Sequence, residues 1–294
     1  MKRKLIKLLT NPLSVVGLAL IFFFVGVAIA APWIAPPEDP DEPYRVPRDG
    51  WSSTPKPPGE GHIFGTTQGQ YDIFYGVVWG TRTAFRVSLM VVGLSSIIGI
   101  IVGTLAAYYG GAVDSVLMRI VDVFYSIPYL VAAMVLTTIL GRSLTNALIA
   151  LIVFGWMGYA RLIRGNILSV KEEEYVSSAN AVGATDFRII FRHILPNSIF
   201  PVVVQASMNM GTIVITAATL SFLGVGAPSG YADWGQMISF ARNWILGIQG
   251  NTFQYWYTVV IPGASITLFC LSWNLVGDAF RDIMDPKLQG GGGM

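Results

Sequence analysis

The chain has 294 residues, 53% of them hydrophobic and only 12% charged, with a formal net charge of +2. A soluble domain carries about 25% charged residues, and a mean hydropathy of +0.58 excludes a water-facing surface over most of this chain, so the composition is that of a polytopic membrane protein. The basic residues are too few and too scattered for a nucleic-acid binder, and Cys270, the single cysteine, excludes a disulfide framework or thiolate cluster and reads as a small packing residue.

A bilayer core about 30 Å thick needs about 20 apolar helical residues. Six charge-free windows can supply them: 13–34, 87–109, 123–140, 144–160, 199–223 and 256–277. Runs this long lack the period-2 alternation of barrel strands, so the expected fold is an all-α integral membrane protein with six transmembrane helices. The first window is too long for a signal-peptide core and is followed by Pro36 and Pro37 instead of a small-residue cleavage site. It reads as a retained span. The third and fourth windows are joined only by Gly141, Arg142 and Ser143, the spacing of a tight helical hairpin.

Orientation follows from Lys and Arg. With the N-terminus inside, twelve lie on the cytoplasmic side and seven outside, and Lys2, Arg3, Lys4 and Lys7 precede the first span. The positive-inside rule then places both termini in the cytoplasm. Residues 1–35 form the N-terminus and first span, 36–83 an external lead-in, and 84–294 a five-helix core. Segment 36–61 holds eight of the sixteen prolines and the acids Glu38, Asp39, Asp41 and Glu42, which predicts an extended, hydrated segment without its own core. External loop 224–253 contains an amphipathic stretch, 234–246, that lies in the interface or dips toward a pore. The glycine tail 290–293 is read as flexible.

The absences narrow the chemistry. There is no GxxxxGK[ST], HExxH, GxSxG or GxGxxG pattern, and His62 and His193 fall on opposite sides of the expected membrane. No catalytic, cofactor or metal site is expected on this chain. The spans hold no carboxylate of the kind proton-driven carriers use. Asp122 and Asp278 lie near cytoplasmic ends, as solvated or capping groups.

The cytoplasmic loop 161–196 carries the most information. Stretch 172–182 is good helix material, Gly183 supplies a left-handed terminator, and Thr185 with Asp186 opens a second short helix that should end at Pro196. Small residues Ser177, Ser178, Ala179 and Ala181 would front the first helix and admit another protein's groove. An ordinary inter-span loop fits the same residues.

In the fifth window, Gln205, Asn209, Thr212, Thr216 and Thr219 recur at steps of 4, 3, 4 and 3, which makes one polar face on a helix. Such a face points at protein or water, as the lining of a pathway or as contact between helices. Pro128 and Pro262 are hinge candidates or plain kinks.

Within loop 161–196, 171–196 (KEEEYVSSANAVGATDFRIIFRHILP) resembles the EAA loop of bacterial ABC importer permeases, with Gly183 and Leu195-Pro196 at the family's spacing. His62-Ile63-Phe64-Gly65-Thr66, Gly80-Thr81-Arg82, 110–128, FRHILPN at 191–197, LSFLG at 220–224, Trp234-Gly235 and GDAFRDIMDPKL at 277–288 extend the resemblance to the oligopeptide/dipeptide (peptide/nickel) subfamily, in its second-permease or C type. The loop departs from the family at Ser177, where the naming glutamate would stand, and Ala217 stands where many relatives carry an acid.

The resemblance implies a non-catalytic subunit of a peptide importer, multi-pass in the cytoplasmic (inner) membrane of a bacterium or archaeon. Its partners would be a homologous second permease, two ATPases that carry ATP and Mg, and an external substrate-binding protein. Docking would use Glu174, Tyr175, Ser177, Ser178, Ala179, Ala181, Gly183, Ala184 and Asp186, as a coupling helix. Other cargo of the same family, such as nickel chelates, and a stand-alone channel or carrier are the alternatives.

Overall fold

A computed structural model describes residues 11–59, 61–244 and 253–284. The described residues form twelve α-helices and one π-helical stretch, with isolated bridges in place of strands. Helix α1 (Pro12–Ile34) starts at Asn11, whose side chain accepts from the Leu13 amide at 3.0 Å. Phe22, Phe23, Ile29 and Trp33 stay exposed along it, an apolar face suited to lipid. Helix α2 (Ile73–Tyr109) runs for 37 residues, capped by Asp72 on the Tyr75 amide at 2.7 Å. It starts fourteen residues before the apolar window at 87, so the 83/84 boundary falls inside a continuous helix.

The third window is not one rod. Helices α3 (Gly111–Tyr125) and α4 (Tyr129–Leu140) meet at an angle of 83°, with Pro128 at the break. Helices α5 (Leu144–Gly155) and α6 (Met157–Lys171) form a 28-residue candidate span interrupted at Trp156. Counting the bent pair as one span gives six, otherwise five. Arg164 clamps Asp114 through two bonds of 2.6 and 2.5 Å, and Arg161 reaches Asp122 at 2.5 Å while lying over the Tyr125 ring, so α3 is fastened to α6. Asp122 is therefore an ion-pair partner. Helix α6 lies so close to α2 that any Cβ at Gly103 would collide with the Ala160 carbonyl.

Short helices α7 (Glu174–Ala181) and α8 (Asp186–Arg188) lead into a π-helical stretch (Ile189–Ile194) and α9 (Leu195–Ser198). The helical path continues through Pro196, which sits in the first turn of α9, where a missing N–H breaks no helical bond. The expected stop at Pro196 is corrected accordingly. Helix α10 (Phe200–Phe222) follows, then α11 (Trp234–Ala241) and α12 (Tyr257–Met284).

The core is aromatic at its centre. Phe269 of α12, wholly buried, touches Phe24 at 5.4 Å, Phe85 at 5.1 Å and Trp234 at 5.9 Å, so α1, α2, α11 and α12 meet there. Helix α11 dips into the fold, with the Trp234 indole donating to the Val77 carbonyl at 3.1 Å. Gly235 is required at its start, because a Cβ would enter the Ala218 backbone. Asp233 caps α11 through the Gln236 amide at 2.8 Å, and burial pushes its carboxyl up against that bond. Cys270 packs against Gly211.

The Pro-rich segment corrects the expectation of a hydrated, coreless stretch. The Trp79 indole donates to the Ala35 carbonyl at 2.8 Å, Tyr75 Oη to the Pro43 carbonyl at 2.7 Å, and Tyr44 stacks on Tyr231 at 5.4 Å. Val46 is buried, its amide bonded to the Gly230 carbonyl at 2.8 Å. Proline here fixes the turns of a strap that a small aromatic cluster glues to α2 and loop 224–233. His62 closes it: Nδ1 lies 2.7 Å from Asp72 and Nε2 3.0 Å from Asp49. The Asp72 hydrogen bond, helped by Asp49, raises the His62 pKa against the opposing effect of burial. The glycine tail 290–293, read as flexible, lies outside the described residues. Asp278 and Arg281 form no ion pair among those described.

Candidate functional site

Helix α10 begins with Pro201 in its first turn and carries no ionisable residue. Its polar face is continuous, as the 3.6-residue period requires. Two of its hydroxyls are satisfied locally: Thr216 Oγ1 donates to the Thr212 carbonyl at 3.1 Å and Thr219 Oγ1 to that of Ile215 at 2.8 Å. Gln205 Nε2 donates to Asn209 Oδ1 at 3.0 Å, and Asn209 Nδ2 to Tyr159 Oη at 2.8 Å.

This face forms one wall of a cleft of about 660 Å³. Gln205, Asn209, Thr212 and Thr216 line it, and Thr219 does not. The opposite walls come from α2 (Val91, Val92, Ser95), the α3–α4 break (Tyr125, Ile127, Pro128, Tyr129) and the α5–α6 break (Phe154, Gly155, Met157, Tyr159). Reading α10 alone missed Tyr159, Tyr129 and Ser95. Tyr159 completes the amide chain, Tyr129 Oη donates to the Leu151 carbonyl at 3.0 Å, and the buried Ser95 Oγ has no protein partner among the described residues. These residues sit in apolar runs of other helices, where no local pattern marks them. The cleft carries no charge among its lining residues, so it can exchange hydrogen bonds with amides and hydroxyls without holding an ion. Pro128 stands at the break beside the cleft. Pro262 lies inside α12, which continues through it.

The loop residues lie at the other end of α10. Gly183 is left-handed at φ +78°, and the Ala184 amide bonds the Ala179 carbonyl at 3.1 Å, which closes α7 in a Schellman-type turn. Thr185 occupies the N-cap position of α8 without a side-chain cap bond. Glu174, Tyr175, Ser177, Ser178 and Ala181 are exposed, whereas Ala179 is buried beside Val176 and faces inward. Ala184 is half-buried. Asp186 accepts from Tyr108 Oη at 2.8 Å, a link to the end of α2. Lys171 donates to the Tyr108 carbonyl at 2.5 Å and lies over its ring. The small-residue reading missed the apolar part of this surface: Val182, Phe187 and Phe191 are exposed, the two rings 4.4 Å apart at positions i and i+4.

Residues 95–290 match the family described as the binding-protein-dependent transport system inner membrane component. The chain belongs to that family. Residues 1–55 also match the N-terminal transmembrane domain of oligopeptide transport permease C. The dipeptide transport system permease protein DppC of Alkalihalophilus pseudofirmus is 38% identical over 95% of this chain and 87% of its own length. The probable D,D-dipeptide transport system permease protein DdpC of Escherichia coli K12 is 38% identical over 95% of this chain and 89% of its own. The inward-facing MetNI methionine ABC transporter shares the fold, with a TM-score of 0.56 at 20% identity over 72% of this chain and 98% of the other. This inner membrane component is thus a multi-pass helical subunit of a transport system. Among its described residues no group of His, Cys, Asp and Glu is placed to hold a metal.

Proposed function

We propose that this chain is the C-type permease subunit of an ATP-driven ABC importer for di- or oligopeptides, working by alternating access. The observation that supports it most is the uncharged, hydrogen-bonding cleft at the α3–α4 and α5–α6 breaks, linked through α2 and α10 to an exposed helical loop. A peptide backbone needs amide and hydroxyl partners along its path, and tight ionic binding would halt it. Relatives named as dipeptide permeases at 38% identity support the cargo.

In this reading the Glu174–Ala181 helix and the Phe187/Phe191 pair dock into a groove of a cytoplasmic ATPase. ATP and Mg bind the two ATPase partners, and a second, homologous permease supplies the facing wall. An external binding protein delivers the peptide to the end that carries the Pro-rich strap. Motion of the docked loop reaches α2 through Asp186 and Tyr108, and the breaks at Pro128 and Trp156 absorb it.

Two experiments test this. With Cys270 replaced, a cysteine at Ser53 should react with an impermeant thiol reagent in intact cells, and one at Ser178 only after permeabilisation. Reversed labelling would refute the orientation. Copurification of ATPase subunits, with ATP-dependent peptide uptake in proteoliposomes, tests the activity; conduction without them would identify a channel.

A further inference from the structure

Opposite the docking loop, at the far end of α10, lies a second cavity of about 600 Å³. The 23 residues of α10 separate it from the loop by about 35 Å, enough to cross a bilayer core about 30 Å thick. Two arginines line it. Arg142 stands on the α4–α5 turn and makes no hydrogen bond, ion pair or ring contact among the described residues. Arg242, at the end of α11, donates to the Phe222 carbonyl at 2.5 Å and lies over the Phe222 ring, which fixes its guanidinium and leaves further N–H donors free. Gln236 and Asn243 add neutral amides, and no carboxylate is among the lining residues. Phe222 is three residues past Thr219, so the cavity continues the line of the polar face that enters the central cleft.

We infer that this cavity is a receiving site for the α-carboxylate of a peptide, held by Arg142 and Arg242 before the peptide enters the cleft. The inference rests on the proposed peptide cargo and on this end lying outside. Each guanidinium lacks a counter-ion among the described residues and presents a planar fork of donors that matches a carboxylate. The uncharged cleft offers that group no such partner. A charged terminus is therefore caught at the mouth, where water still reaches it, and not along the path.

The test uses the complete transporter in proteoliposomes with its binding protein, and compares uptake of one tripeptide as the free acid and as the C-terminal amide. The binding protein's own preference is common to all permease variants and cancels when their acid-to-amide ratios are compared. Arg142→Gln with Arg242→Gln should lower that ratio about fivefold through slower uptake of the acid, with amide uptake and basal ATP hydrolysis unchanged. Arg142→Gln alone should lower it in part, and because Arg142 makes no hydrogen bond, ion pair or ring contact among the described residues, it serves if the double variant fails to assemble. Arg142→Lys should keep most of the ratio. An unchanged ratio overturns the site, and so does an equal fall for both peptides, which would indicate lost docking of the binding protein. If the wild type takes up neither peptide, the cargo reading falls and the site with it.

Discussion

Replacing Gly183 by valine strikes the turn between α7 and α8 without touching a membrane helix. Gly183 has φ +78°, and no atom lies within 4 Å of a Cβ built there, so backbone strain alone sets the cost. A left-handed conformation costs a non-glycine residue about 1 kcal/mol or more, and branching at Cβ adds crowding. Helix α7 has eight residues, too few to be stable alone, and only Val176 and Ala179 are buried to hold it. A loss of about 1 to 2 kcal/mol therefore depopulates the docked turn about 5- to 30-fold. The expected outcome is normal abundance of the inserted subunit, with ATPase copurification and peptide uptake reduced by that order. Gly183→Asn, which tolerates left-handed backbone, should retain much of both. Hydrogen exchange should show faster opening of 174–181 in the valine variant. If Gly183→Val accumulates normally and supports uptake at the wild-type rate, the docking role assigned to this turn is wrong.

Tyr108→Phe removes the 2.8 Å bond to Asp186 and nothing else on α2; an exposed bond of this kind is worth about 0.5 to 1.5 kcal/mol, so stimulation of ATP hydrolysis by loaded binding protein should fall severalfold while basal hydrolysis and assembly persist. Gly235→Ala forces a methyl into the Ala218 backbone and should cost about 1 to 3 kcal/mol, read as a lowered thermal midpoint in detergent. The His62 clasp should depend on pH. Because the His62 pKa is raised, its contribution is complete below the free-histidine value of about 6.5 and is lost as pH rises through the higher folded value. It is lost again in acid as Asp49, whose pKa is lowered chiefly by the His62 hydrogen bond, becomes protonated. Protease protection of the strap should follow that window in the wild type and lose its upper limb and most of its acid limb in His62→Gln.

The spans were legible because lipid imposes long apolar runs and a bilayer fixes their length. Gly183 was legible too, since a glycine between two helix-forming stretches has few other roles. The missed features arise from tertiary contact. Pro128 marked a kink in the sequence but not its 83° size, and Tyr159 joins Asn209 across fifty residues of sequence. The strap misled by composition: prolines and acids suggest a solvated chain, yet Tyr44, Val46 and the Trp79 indole supply a cluster that composition does not record. Ala179 was misplaced because small size says nothing about which face of α7 it occupies. The π-helical stretch before Pro196 has no sequence signal that we can identify.

The breaks at Pro128 and Trp156 have a mechanical consequence. Both border the same cleft, and on one side of them the rods α3 and α6 are riveted together by two arginine–aspartate pairs. On the other side α4 lies along α5, with Asn146 of α5 closing the turn through the Leu140 and Gly141 carbonyls. The wall is therefore two fastened pairs of rods that meet at the 83° bend of Pro128 and the interruption at Trp156. Torsion at the few residues of these two breaks would change the width of the cleft while leaving the contacts within each pair intact, so opening and closing need not pass through a loosened core.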